Sequence, residues 1–245
     1  MQGAAPDGTA EVTVDHEALE ASLGHLSKLG AEDVKIRDVL EEAVSAIHGL
    51  YGLSGAGMML IDDQSSLRSV VASDSVGRLL EEVQREAGEG PCIDAYVHDV
   101  VARCSDLASD PRYERAGPVL ADKGIRAVLG VPIRLSGSPV GSLNVYVDEP
   151  HQWAEDEVEP LETYSRLLAG QLASALAAHQ RGQIVEQLEY ALDYRRVIER
   201  AVGYLMAAHD LGAVEAFNTL RGAARDRQRR VADVARDLLE RRVVL

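Results

Sequence analysis

The sequence predicts an α+β fold: an antiparallel sheet with flanking helices, then a long, partly coiled-coil connector helix, then a C-terminal three-helix bundle. Three observations carry the prediction. Short apolar runs lie at hairpin distance within the first 150 residues, apolar positions recur at helical spacing from Glu155 to His209, and the same spacing appears in three successive segments ending near Val243. Composition sets the bounds. A chain of 245 residues holds about two domains, and no run approaches the roughly 18 apolar residues that a membrane span needs. Residues 1–14 lack an apolar signal region and read as the disordered tail of a cytoplasmic protein with no membrane partner.

Residues 15–51 read as helical. Asp15 is placed to cap a run through Leu19, Leu23 and Leu26, Gly30 interrupts it, and a second run from Ala31 aligns Val34, Val39, Leu40, Ala43, Val44 and Ile47. Ala56–Ile61 and Leu67–Ala72, separated by five polar residues starting at Asp62-Asp63, form a strand–turn–strand pattern. Val76–Ala87 reads as a helix that Gly88-Glu89-Gly90-Pro91 breaks. Val100–Cys104 reads as a strand, and Arg112–Lys123 as a helix capped by Gly124. Ile125–Ile133 and Pro139–Val147 are the strongest strands, joined by a turn containing Gly137. Together they place a sheet domain over about 31–150.

From Glu155 onward the helical period does not visibly stop before His209, which implies a helix of roughly 80 Å. Leu161, Leu168 and Ala175 recur at seven residues; Ile184, Leu188 and Ala191 follow, with Gly182 between two registers. Residues 155–176 pack equally well on their own sheet or on a second copy, whereas the strip past 180 asks for a partner and implies a homodimer.

The final segment repeats the period three times: Leu192, Ile198, Ala201 and Leu205; then Ala216, Phe217, Leu220 and Ala224; then Val231, Val234, Ala235 and Leu238. No one of these stripes can be buried alone, so the three helices form a bundle. Basic residues collect here. Leu220–Arg242 holds eight arginines against four carboxylates within a chain of net charge −15. Arg221, Arg225, Gln228 and Arg229 share a face, Arg230 stands at the entry to the third helix, and Arg195 and Arg196 lie on the first. Guanidiniums offer forked donors suited to phosphate, although a solvated helix face is the ordinary reading of such a row.

The wording of the segment is more specific. Arg195-x-Val197-Ile198-Glu199-x-Ala201-x-Gly203-x-Leu205-Met206, Glu215-Ala216-Phe217-x-x-Leu220-Arg221-x-x-Ala224 and Arg229-Arg230-Val231-Ala232-Asp233-Val234-Ala235 resemble the ANTAR family of RNA-binding output domains. The resemblance implies recognition of tandem stem-loops in nascent transcripts and antitermination. It makes Arg195, Arg196, Arg221, Arg225, Gln228, Arg229 and Arg230 the expected RNA-binding residues. Two departures stand out: Val202 occupies a position where the family often has Lys, and Gly212 stands where Ser or Thr usually caps the second helix.

Upstream, Gly88-Glu89-Gly90-Pro91-Cys92, Gly124–Pro132 and Gly141-Ser142-Leu143-Asn144-Val145-Tyr146 are similar to GAF domains. That resemblance implies a sensor with a possible small-molecule ligand. The expected division is therefore a tail (1–14), a sensor (15–154), a connector (155–190) and an RNA-binding bundle (191–245). A phosphoacceptor reading of Asp62-Asp63 fails, because the next strand follows at hairpin distance where a parallel sheet needs a crossover. They are turn acids.

No catalytic constellation appears in the sensor. Cys92 follows Gly-Glu-Gly-Pro, where a reactive thiol is conceivable and a buried core thiol is favoured. Cys104 is read as a second reduced thiol. His48, His98 and His151 have no ligand spacing, and Asp94, Asp99, Asp106 and Asp110 read as caps and turn acids. The expectation is a non-enzyme without metal or cofactor, its ligand residues unknown. Signal in the sensor would shift the connector and so the distance between two bundles. The alternative is a ligand- or redox-sensing module whose bundle binds protein.

Overall fold

A computed structural model of the chain describes residues 16–29, 35–51, 53–62, 67–178, 183–241 and 243. The expected tail, the Asp15 cap, the Gly30 break, Val34, Asp63, Gly182 and Arg242 lie outside the described residues. Two helices open the fold, α1 (His16–Leu29) and α2 (Ile36–Tyr51), followed by β1 (Gly55–Ile61), β2 (Leu67–Ala72), α3 (Ser75–Ala87) and α4 (Pro91–Val97). Next come β3 (Ala102–Cys104), α5 (Ala116–Ala121), β4 (Ala127–Leu135) and β5 (Ser138–Val147). The chain closes with α6 (Glu155–Ala177), α7 (Gln183–His209), α8 (Ala213–Asp226) and α9 (Val231–Leu239).

The five strands form one antiparallel sheet in the order β2-β1-β5-β4-β3. Alternation sorts its side chains. Ala127, Leu129, Val131, Ile133 and Leu135 of β4, with Leu143 and Val145 of β5, enter one core with α1, α2 and α6. Val128 and Tyr146 point the other way and meet α3, α4 and α5 through Leu80, Ile93 and Leu120. Both faces are covered, so these strands read as unbroken apolar runs instead of alternating ones. The β4–β5 hairpin turns on Ser136 (φ 51°) and Gly137 (φ 79°), the paired positive angles of the two-residue turn whose twist matches its strands.

Three readings change. The stretch from Pro91, which carried no expected element, folds as the short helix α4, entered through a proline that needs no donor at its first position. The helix expected over Arg112–Lys123 shrinks to α5, since Arg112 folds back onto Asp110 and donates to the Arg103 carbonyl at 2.8 Å. Asp122 caps α5, and Gly124 takes its left-handed angle two residues later.

The third correction concerns the connector. It is two helices: α6 ends at Ala177 with Ala178 as its C-cap, and α7 runs from Gln183. Ser165 donates to the Pro132 carbonyl (2.7 Å) and the Tyr164 and Ser22 hydroxyls meet at 2.7 Å, fastening α6 to β4 and α1. Leu161 and Leu168, from the seven-residue recurrence, are buried in the first core, as are Ile184 and Leu188 of α7. Full burial of each such leucine contributes about 1.5–3 kcal/mol, and surface spent in the chain's own core cannot be buried again on a second copy. Farther along, Ile198, Ala201 and Leu205 of the same α7 join Phe217, Leu220, Val231 and Leu238 in the separate core of the predicted bundle.

Candidate nucleic-acid interface

The bundle presents its arginines in three different states. Arg196, Arg225 and Gln228 are exposed, and so is Arg230, which stands at the N-cap of α9. Arg195 and Arg229 are committed within the chain. Arg195 Nε donates to Glu199 at 2.6 Å and its Nη1 to the Pro139 carbonyl of the sheet hairpin; Arg229 pairs with Asp237 at 2.6 Å. Arg221 is half-buried. It lies 5.7 Å from the centre of the Phe217 ring, donates to Asn218 Oδ1 (3.3 Å) and has its pKa lowered by burial, against which Asp62 works and with which Arg225, Arg85 and Arg68 act. Of the seven expected residues, Arg221 and Arg225 of α8 therefore come together, while Arg195 and Arg229 are held by neighbours.

What Arg221 leans against is the sheet domain. Asn218 Nδ2 donates to the Gly88 carbonyl at the end of α3 (2.6 Å), and Tyr96 of α4 meets Phe217 edge to face at 6.1 Å. Beside this seam runs a groove of about 870 Å³, walled by Arg221 and Arg225 on one side and by Arg68, Arg85 and Arg115 on the other. The last three went unread in the sequence. They lie more than a hundred residues upstream in an acidic stretch, and only the seating of the bundle brings them near. Val202, the position noted for its missing Lys, lines an apolar cleft of about 200 Å³ on the same seam with Val97, Val140 and Met206.

The sheet domain's interior holds a second polar feature. Glu81 of α3 is 1 % exposed; among the described residues its carboxyl has no partner in full hydrogen-bond geometry, and Ser69 and Asn144 lie beside it as the nearest polar groups, while Ser142 Oγ and Asn144 Oδ1 are likewise buried without partners there. Burial pushes the Glu81 carboxyl up to about 8. Sequence reasoning missed Glu81; the signal that could have found it is its place in the spacing Gly77, Leu80, Glu81, Gln84, one side of the helix.

Cys92 is fully buried, with Gln84 Nε2 2.9 Å from its sulfur. Burial pushes its thiol far up and the Cys104 thiol up to about 12, so neither offers a thiolate near neutral pH. Neither cysteine is expected to react with Ellman's reagent in the native protein at about pH 8, and both should react in urea. Rapid native labelling of Cys92 would restore a redox role. The aspartates serve locally. Asp94 accepts from Tyr113 (2.8 Å), Asp99 from Arg134 (2.7 Å), Asp110 from Arg112, and Asp106 from Arg126, whose guanidinium holds it below the usual carboxylate range. His151 meets Glu157 at 2.7 Å and stands edge-on to Trp153; His98 is 3.9 Å from Asp94, and His48 borders a groove beside α2. Among the described residues no group of three metal-ligating side chains occurs, and no helix is long and apolar enough to cross a membrane.

A family model described as a GAF domain matches residues 34–177, and one described as an ANTAR domain matches residues 186–239. Both are regulatory domains. No curated protein matches the chain. Among solved structures, the GAF domain of a Coxiella burnetii phosphoenolpyruvate-protein phosphotransferase aligns at TM-score 0.55 and 19 % identity, covering 67 % of this chain and 98 % of that one. Its Acinetobacter counterpart aligns at 0.52 and 18 %, covering 68 % and 99 %. Free methionine-R-sulfoxide reductase from Neisseria meningitidis aligns at 0.54 and 15 %, covering 69 % and 98 %. At these identities the likeness concerns the fold alone.

Proposed function

The chain belongs to the GAF domain family and carries an ANTAR domain, and from that premise we propose that it is an RNA-binding transcription antitermination regulator. In this reading residues 191–245 grip paired stem-loops in a nascent transcript, residues 15–154 sense, and residues 155–190 join the two. Two copies, one bundle per hairpin, complete the assembly, so that the second contact gains from effective concentration. The place of action is the cytoplasm, where transcripts are made.

The observation that carries the reading is the ANTAR match over residues 186–239, which includes α8 and α9. It is supported by Arg196, Arg225, Gln228 and Arg230, exposed on a segment that is basic in an acidic protein. In A-form RNA the stems hide their base edges, so the arginines take phosphates and loop nucleotides supply sequence preference. A small molecule in the sensor would act by changing how α4 and the end of α3 seat against α8, the contacts made by Tyr96 and Gly88.

The test is the salt dependence of binding to a two-hairpin RNA. Replacing both Arg221 and Arg225 with Ala is expected to flatten the slope of log K against log salt by about two, one per lost phosphate contact. If the bundle instead binds protein, the wild-type chain ignores looped RNA at low salt. Mass measurement of the complex then reads the stoichiometry, with two chains per tandem-hairpin RNA expected.

A further inference from the structure

The groove beside Arg221 has one wall from each domain. Arg221 and Arg225 come from α8; Arg68 comes from β2, Arg85 from α3 and Arg115 from the turn before α5. Glu86, Glu89 and Glu215 also line it, so arginines outnumber carboxylates five to three inside a chain of net charge −15. Ion pairs reach the sensor's three arginines and, among the described residues, not the two on α8. Arg68 is taken by Asp62 (2.7 Å) and Arg115 by Glu89 (3.0 Å), but Arg85 reaches Glu86 only at 3.4 Å and Glu82 at 3.7 Å. Among the described residues Arg221 and Arg225 have no carboxylate partner within ion-pair distance. Gathering like charges beside a half-buried guanidinium costs free energy, and an anion in the groove removes that cost.

We propose that this groove is a phosphate-binding site for the RNA backbone, and that the sensor's Arg68, Arg85 and Arg115 are part of the RNA interface. The inference rests on the RNA-binding reading and extends it. The chemistry selects the ligand: guanidinium forks match the two non-bridging oxygens of a phosphodiester, and two of the five sit on the helix already assigned to the transcript. Coupling between sensor and RNA then needs no long lever. Any change at the Gly88–Asn218 and Tyr96–Phe217 contacts alters the spacing of the two arginine rows, and with it the number of phosphates engaged at once.

The experiment uses the full chain, a two-hairpin RNA and fluorescence anisotropy from about 50 to 300 mM KCl. Arg85→Ala and Arg115→Ala are each expected to flatten the salt slope by about one, roughly sixfold less loss of affinity across that range. Arg85→Lys keeps the charge and is expected to keep the slope, which separates a phosphate contact from damage to the fold. If both alanine variants keep the wild-type slope while Arg225→Ala flattens it, the sensor's share is overturned and the RNA reading stands. If the wild type binds no RNA even at low salt, the RNA reading falls and thermal shift with inorganic pyrophosphate decides the groove. A rise in melting temperature that Arg221→Ala/Arg225→Ala abolishes keeps the phosphate site and reassigns it to a small molecule; no rise overturns the site as well.

Discussion

Glu81→Gln is expected to remove most of the fall in stability that the wild-type protein suffers between about pH 4.5 and pH 8. In the folded state burial holds the Glu81 carboxyl at about 8, with Ser69, Asn144 and Arg78 pulling it down in part, against 4.5 as its ordinary value. Between those limits the folded chain keeps a proton that the unfolded chain has released. Stability from this group is therefore complete below about 4.5, declines as pH rises and is gone above about 8, a span worth roughly 5 kcal/mol. Its titratable neighbours do not mimic the effect. Cys92 and Tyr146 are pushed upward, away from this window. Asp106 and Asp110, held low by Arg126 and Arg112, contribute stability that is lost only as pH falls through their depressed values. Urea denaturation at pH 5, 6, 7 and 8 measures it, and parallel wild-type and Gln curves would refute the assignment. Gln also keeps the volume and a donor beside Asn144, so the variant should fold at every pH tested. Because Gly88, which holds Asn218, lies two helical turns beyond Glu81, the same titration is expected to reach the seam.

Gly141→Ala is expected to leave little folded protein. A Cβ at Gly141 would stand 2.0 Å from the Met59 carbonyl oxygen and 3.0 Å from Leu60 Cα. Leu60 and Gly141 are register partners on β1 and β5. The obstacle is backbone, which has no rotamer to escape into, so the strands must part at the centre of the sheet. The loss should exceed about 4 kcal/mol, well beyond an ordinary substitution. Gly203→Ala is the control: nothing lies within 4 Å of the added methyl, and in the middle of α7 it is expected to stabilise by up to about 1 kcal/mol. Circular dichroism against urea for the pair gives the answer. A Gly141→Ala midpoint near wild type would show that the two strands sit farther apart than described.

The parts of the fold legible in the sequence are those in which one local rule decides. β1, β2, β4 and β5 announce themselves as apolar runs bounded by turn residues, and the three bundle helices by their stripes. α4 was hidden by its shortness and by the glycines before it. The interruption after Ala177 was hidden because apolar spacing continues on both sides, and periodicity reports faces without reporting continuity. The basic cluster was legible as composition. Which of its members are held was legible only in part: Glu199 takes Arg195 at a spacing of four on one helix, which the sequence displays, whereas Asp237 takes Arg229 across the start of α9, a distance that only the fold sets. The sensor's arginines were beyond reach for the same reason: their relation to α8 depends on where Asn218 lands.

Helix α7 has a practical bearing on anyone who would take this protein apart. Its beginning plugs one hydrophobic interior through Ile184 and Leu188, and its end plugs another through Ile198, Ala201 and Leu205. A scissors cut placed anywhere along it therefore strands greasy surface on one fragment or the other. Fragments meant to behave in solution must each keep the whole rod, and the half left bare of its usual cover becomes the natural place for aggregation to start.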